Sequence, residues 1–482
     1  MARVLLVYHR APGMMWRSTY ASHLGSFERF SEHECFYLNT AWPKVPRHLV
    51  SLKPDLIIFH YTFLAVRWAR EEFESQLRRI AFIREIACPK ALIPHDEHVY
   101  TDSLCRVVNE FGVTHIFTPA SSPQWRQIYE GVDFDNITLH TVLTGYLDDA
   151  AVRRSARRSE RQGGRRIDVG YRSWAVYPSF GRHGLLKGEI GRCFAERAAE
   201  YGLVADISSR AKDAFLGNDW FDFLLDCKYT IGVEGGASVL DRDGGALERV
   251  REYVREHEDG SFEEIEAACF PGLDGQFEYR LLGPRHLEAA MTRTCQVLIE
   301  GFYGGALEAG KHYIPLREDF SNMDEVMFIL KQDELRAEIV ERAYEDVIAS
   351  GRWTYRTLVN AVFTECLGEP EATGLMPGTQ RAPEVVGARY PASALGLLNA
   401  LLRRWFDSIA GSFLLRPRRL QIRHLALTAA VLLLGEERLW RLATGARNVA
   451  RRALGRSPLD VGEYIPTEAE KERRKHKAEG NR

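Results

Sequence analysis

Residues 285–316 read RHLEAAMTRTCQVLIEGFYGGALEAGKHYIPL. Arg285–Met291 has the pattern of a helix, and the apolar run Gln296–Ile299 that of a short buried strand. Glu300–Gly305 is a glycine-containing loop, and Tyr313–Leu316 is a second short strand. A helix is predicted from Met323 to Ile348, with Asp324 and Glu325 in its first turn, where the helix dipole favours acids. Helix and strand in alternation imply a parallel sheet covered by helices.

Working outward, this unit starts at Ile167. It runs through the strand Asp168–Tyr171, a helix Gly188–Tyr201, and the strands Val204–Ile207 and Tyr229–Val233. A second set of alternating segments fills residues 1–150. Its predicted strands are Val4–Tyr8, Cys35–Leu38, Leu56–His60, Ala91–Pro94 and His115–Thr118, with helices over Ala65–Ile86 and Asp102–Phe111. In such sheets ligands bind beyond the carboxyl ends of strands, so polar residues there carry most weight. Between the halves lies a basic segment, 151–166, whose Arg153–Arg166 reads RRSARRSERQGGRR and is expected to be a solvated hinge.

The chain has 482 residues, 45% hydrophobic and 27% charged, which is globular composition. Its formal net charge is −2, so no global field draws it to nucleic acid. From Arg403 to Arg456, however, 12 arginines face Asp407, Glu436 and Glu437. The segment 383–466 is therefore expected to form basic amphipathic helices, followed by a disordered charged tail, 467–482. Such helices suit an anionic membrane surface, or packing on the core or on another subunit. The eight cysteines show no C-x-x-C pair, which argues against a zinc ribbon or a disulfide framework. No stretch reaches the length of a membrane span, and the apolar start Val4–Val7 is too short for a signal peptide. A cytoplasmic protein is expected, peripheral at the inner face of the membrane if the extension binds lipid.

The run Glu288-Ala289, then the strand Gln296–Ile299, the loop Glu300–Gly305, the strand Tyr313–Leu316 and an acidic helix start resembles the sugar-nucleotide half of GT-B glycosyltransferases. The likeness is to the group-1, family-4-like kind, and HYIPL followed by DFSN is similar to a bacterial surface-polysaccharide subgroup. It covers Ile167 to about Leu367 best. It implies an α/β fold of GT-B architecture: two Rossmann-like domains facing a cleft, here with a C-terminal basic helical extension. Residues 1–150 would form the acceptor domain and 167–370 the sugar-nucleotide domain with its crossover helix. The implied activity is transfer of a hexose-type sugar (EC 2.4) from a nucleotide-sugar donor to a cell-surface glycan or lipid-linked acceptor. No cofactor is implied, because the nucleotide sugar is a substrate, and no metal is expected. Two other readings stay open: a GT-B nucleotide-sugar epimerase, and a catalytically silent glycan-assembly protein.

The resemblance places a ribose-binding glutamate at Glu288, with Arg285 and His286 beside it. Phosphate ligands would come from Arg182 and Lys187, which have the family's rough spacing, and from Arg172 just past a strand. Each of these fits a solvated surface charge as well. Glu234, Gly235, Gly236 and Ser238 follow an apolar strand, where glycines let main-chain N–H groups approach a phosphate or simply make a tight turn with no ligand, and Tyr303 and Gly304 belong to the later loop. A second glutamate is implied eight residues before the ribose ligand; Arg280 stands there, with Glu278 out of register. Asp241-Arg242-Asp243 is a D-x-D triplet, a pattern that holds a metal in the GT-A fold and is also an ordinary Asp-Gly turn with Gly244. In the first half, His95, Asp96 and Glu97 follow the fourth strand. The resemblance implies a histidine there in contact with a donor sugar, and a carboxylate beside it suits abstraction of the acceptor proton; structural capping of the loop, or a metal cluster with His98, stays open.

Overall fold

Six parallel strands make the first sheet: β1 (Arg3–Tyr8), β2 (Glu34–Asn39), β3 (Leu56–His60), β4 (Lys90–Ile93), β5 (His115–Thr118) and β6 (Thr138–Thr141), in the order β2-β1-β3-β4-β5-β6. The computed structural model describes residues 1–11, 18–159, 164–174, 176–215, 218–257 and 259–368. The extension expected over 383–466 and the tail 467–482 lie outside the described residues. Val4–Tyr8 and all of β3 are buried, because helices cover both faces of this sheet. β6 reads TLHT and none of it is fully buried, which is why its apolar content does not announce it as a strand.

The second sheet has five parallel strands: β7 (Ile167–Arg172), β8 (Ala205–Ser208), β9 (Cys227–Gly232), β12 (Cys295–Ile299) and β13 (Ile314–Leu316), in the order β13-β12-β9-β7-β8. A small antiparallel pair, β10 (Gly235–Ala237) and β11 (Tyr279–Leu281), follows β9. Both sheets belong to one compact unit. The two-Rossmann GT-B architecture is thus present, and a last helix, Tyr355–Leu367, returns to the first sheet. Its Tyr355, Leu358, Val359, Val362 and Phe363 pack with Val4, Leu6 and Ile58. The outward and returning chains meet where Leu147 N donates to Trp353 O (2.7 Å) and Tyr355 N to Leu147 O (3.1 Å).

Four expectations change, the first being the single helix predicted over Met323–Ile348, which is divided into Met323–Ile329, Asp333–Ala343 and a wider turn Tyr344–Ala349. The helix predicted over Ala65–Ile86 is broken into a tight turn at Ala65–Trp68, a helix Arg70–Arg79 and another tight turn at Ala81–Glu85. Ala69 leaves helical geometry (φ −120°, ψ 82°), and Arg67 just before it is buried. The helix after β7 spans Gly181–Ala198, so Arg182 and Lys187 lie within it rather than ahead of it. The basic segment is helical over Asp149–Ser159, and Arg165 is pinned by hydrogen bonds to the carbonyls of Leu224, Thr292 and Arg293 and to Thr294 Oγ1. A guanidinium so committed is not a solvated hinge.

Residues 238–278, between β10 and β11, carry the helices Gly245–Glu256 and Phe262–Cys269 and lie against the first half. Asp241 N donates to His98 O (2.7 Å), Tyr100 N to Asp241 O (2.8 Å) and Asp102 N to Arg242 O (3.1 Å). Phe277, Tyr279 and Leu281 enter the apolar core of the first half. No helix among the described residues is long and apolar enough to cross a membrane.

Candidate functional site

In the second sheet the strand order reverses between β7 and β9, and a ligand crevice is expected beyond their carboxyl ends. Two helices reach that point from opposite faces. Gly181–Ala198 packs Leu186 and Ile190 on one face, and Pro284–Met291 packs Leu287 and Met291 on the other. They bring together Lys187 and Arg285. The Lys187 ammonium is pulled down to about 8, chiefly by burial and then by the Arg285 charge, with Asp96 of the first half opposing both. Among the described residues the Lys187 ammonium has no hydrogen bond or ion pair. Arg285 has no acid partner there; its Nη1 donates to Arg172 O at 2.8 Å.

The other predicted cations are occupied. Arg172 binds both carboxylate oxygens of Asp206 (2.8 and 2.9 Å) and packs over Phe223. Arg182 pairs with Glu263 (2.9 Å) and lies 3.6 Å from Asp274. Asp274 also accepts from Arg182 N (3.1 Å) and Ser238 Oγ (2.6 Å), and Ser238 Oγ accepts from His183 N (3.2 Å). The start of this helix is therefore already capped by protein oxygens. Ser238 serves that cap.

The glycine run has a different use from a phosphate cradle. Gly235 and Gly236 form β10, and a Cβ on Gly236 (φ 119°) would lie 1.7 Å from Tyr279 O. The glycine lets β11 approach. Buried Glu234 accepts from Tyr303 N (2.6 Å) through Oε1, so it anchors the loop after β12; burial raises its pKa, and the Tyr303 N–H opposes. Its Oε2 has no partner among the described residues. Tyr303 donates its hydroxyl to Ile299 O (2.6 Å), and Gly304 turns with φ 61°. His286 is buried against Gln296 (3.2 Å); burial, then Arg285, lowers it to about 4. Glu288 accepts from Trp220 Nε1 at 2.8 Å.

In the first half, His95 stacks face to face on Tyr61, with ring centroids 3.9 Å apart. Burial, with Arg67 adding to it, lowers its pKa to about 3, so the ring is neutral. Behind it, His60 Nε2 lies 2.9 Å from His23 Nδ1. Asp96 is exposed and takes a left-handed backbone (φ 56°). Glu97 turns inward. It is fully buried and accepts from Thr118 Oγ1 (2.8 Å), Tyr129 OH and Tyr279 OH (3.3 Å). Glu97 is thus committed to protein donors, and of the two acids Asp96 is the exposed one, whose charge acts on the Lys187 ammonium.

The D-x-D triplet is a helix start. Asp241 accepts from Ala246 N (3.2 Å) and Leu247 N (2.8 Å), and Asp243 accepts from Gly245 N (2.8 Å). Among the described residues no three His, Cys, Asp or Glu side chains are grouped to hold a metal.

Sequence reasoning assigned no role to Glu308, none to His98 outside a metal cluster, and did not give the partners of Arg280. His98, 2% exposed, has both ring nitrogens without a partner among the described residues. Arg280 pairs with Glu278 (2.9 Å) and Glu318 (3.6 Å). A second Glu-Ala pair, Glu308-Ala309, stands eight residues after Glu300. The eight-residue glutamate spacing that Arg280 breaks before Glu288 is thus kept by Glu300 and Glu308, both exposed after β12. Counting back from each Glu-Ala pair is the signal that finds it.

No protein-family model matches the chain, and no curated protein matches it. Among solved structures it is similar to TarM at 12% identity and a TM-score of 0.38, over 64% of this chain and 54% of that one. It is similar to HepE of Anabaena in complex with UDP and glucose at 12% identity and 0.38, over 76% and 100%. It is also similar to a glycosyltransferase of Rickettsia africae at 11% and 0.36, over 77% and 99%. The match spans about half the length of TarM. At these values the likeness carries no argument about function, which rests on the residues above.

Proposed function

We propose that this chain is a GT-B glycosyltransferase that moves a sugar from a nucleotide-sugar donor to a cell-surface glycan or glycolipid acceptor. The observation that carries this reading is the Lys187–Arg285 pair, two cations that make no ion pair among the described residues, at the strand-order switch of the second sheet. A nucleoside diphosphate gains negative charge as it leaves, and cations fixed in a partly desolvated site stabilise that charge most. In this reading Asp96 accepts the proton of an incoming hydroxyl and neutral His95 hydrogen-bonds a sugar hydroxyl; the exposure of Asp96 and the lowered pKa of His95 support it. The ribose contact is assigned to Glu308, on the spacing from Glu300 and the Ala309 that follows.

Titration calorimetry with UDP-, GDP- and CMP-sugars tests the proposal. One donor should bind, and Lys187→Ala should weaken it roughly tenfold or more, the worth of one charge-assisted contact. Folded protein that binds none of them would overturn the reading. Product analysis without acceptor separates transfer from epimerisation, because an epimerase needs no acceptor.

A further inference from the structure

Arg67 is 1% exposed and sits in the tight turn Ala65–Trp68 after β3. Its guanidinium makes four hydrogen bonds to main-chain carbonyls. Nη1 donates to Leu64 (3.0 Å), Nε to Val99 (3.2 Å), and Nη2 to both His95 (3.0 Å) and Asp96 (2.5 Å). Three of these acceptors lie in the loop that follows β4. That loop holds two non-glycine residues in the left-handed region, Asp96 (φ 56°) and Tyr100 (φ 53°). Such conformations persist only where the surroundings over-determine them.

Arg67 has no ion pair among the described residues; Asp96 and Glu97 act on it only at longer range. A buried cation without a direct counter-charge is costly, and an apolar side chain of similar volume commonly serves stability as well or better. What an apolar side chain cannot do is gather carbonyls from residues 64, 95, 96 and 99 onto one planar fork. Lysine, a compact point charge with three donors, cannot reproduce that fork either. The arrangement fits a residue kept for the shape of the loop.

We propose that Arg67 is a positioning residue: it shapes the 95–99 loop so that the Asp96 carboxylate stands opposite Lys187. This rests on the reading that Asp96 and Lys187 act on acceptor and donor. It assigns Arg67 no contact with either substrate.

The test compares the full-length wild type with Arg67→Lys and Arg67→Met, using the sugar nucleotide that the wild type turns over. The expected result is a kcat at least tenfold lower in both variants, with donor Kd within about twofold of wild type. Hydrogen exchange at residues 95–100 should rise in both. A kcat within twofold of wild type overturns the proposal, and so does a parallel weakening of kcat and donor binding. If Arg67→Met does not fold, Arg67→Lys decides; if neither folds by circular dichroism, Arg67 is only structural and the proposal fails. A wild type that binds no nucleotide sugar is a separate outcome: it removes the glycosyltransferase reading, and the role of Arg67 with it.

Discussion

Tyr279 and Glu97 are bonded twice across the seam between the two sheets: the Glu97 N–H donates to the Tyr279 hydroxyl at 3.2 Å, and that hydroxyl donates to the Glu97 carboxylate at 3.3 Å. Tyr279 belongs to β11 of the second half, while Glu97 belongs to the loop after β4 of the first. The contact is buried, and the phenol ring lies in the apolar core of the first half. The position of the loop that carries Asp96 is therefore set in part by the other half.

Tyr279→Phe keeps the ring and removes the hydroxyl. It leaves the Glu97 N–H without its acceptor and the carboxylate with one donor fewer. Leaving a buried polar group unsatisfied costs about 1–3 kcal/mol. Denaturant unfolding should show a loss of that size, with the fold unchanged by circular dichroism. An unfolding midpoint equal to wild type would mean that water takes over both bonds.

The carboxyl of Glu97 yields a pH prediction. Burial raises its pKa from 4.5 to about 7, and the hydrogen bonds of Tyr129 and Thr118 offset this only in part. Below about 4.5 the group is protonated in both states and contributes no difference. Between about 4.5 and 7 the unfolded chain ionises first, so stability falls as pH rises; above 7 the folded state holds a buried carboxylate. The full effect is about 3 kcal/mol. Glu97→Gln removes it, so the variant should match wild type near pH 4.5 and exceed it by roughly that amount at pH 8.

The buried histidines act in the opposite sense. His95, His98, His183 and His286 are held at about 3 or 4, chiefly by burial. A depressed histidine stabilises above its unfolded value of 6.5, and that stability is lost as pH falls toward 4. Both proteins should therefore lose stability on acidification below 6.5, and only the difference between them reports Glu97. Thermal melts from pH 4.5 to 8 measure both. A wild type–variant difference that does not change with pH would show that Glu97 is not the raised acid.

The sheets were legible in the sequence because β1, β3 and β12 are short apolar runs between helical stretches, and such runs are covered on both faces. Two features were not. The break at Ala69 has no glycine or proline to mark it, and its neighbour Arg67 is buried through carbonyls distant in sequence. The segment 238–278 shows in sequence only a D-x-D triplet with an Asp-Gly turn, yet its use is to bridge the halves. Gly236 looks like a phosphate glycine, but it is needed because Tyr279 O passes too close for a Cβ. At the site, Lys187 and Arg285 could be named in advance but not told apart from Arg172 and Arg182. Which cations are already neutralised depends on Asp206, Glu263 and Asp274, and only the fold brings those acids near.

Two glutamates compete for the ribose. Glu288 precedes Ala289 and accepts from Trp220 Nε1 at 2.8 Å; Glu308 precedes Ala309, is exposed and follows Glu300 by eight residues. A carboxylate that accepts from ribose hydroxyls contributes about 1.5–3 kcal/mol, on the order of 10–100-fold in affinity. Glu308→Ala should weaken the bound nucleotide by that factor and erase its preference over the 2′-deoxy form. Glu288→Ala strands the indole N–H of Trp220, so it should lower stability while changing nucleotide affinity by less than about threefold. Calorimetry with UDP and 2′-deoxy-UDP, or the corresponding pair for whichever base binds, reads both effects. If Glu288→Ala loses the ribose preference and Glu308→Ala keeps it, the eight-residue spacing is coincidental and the ribose contact belongs to the helix that carries Arg285.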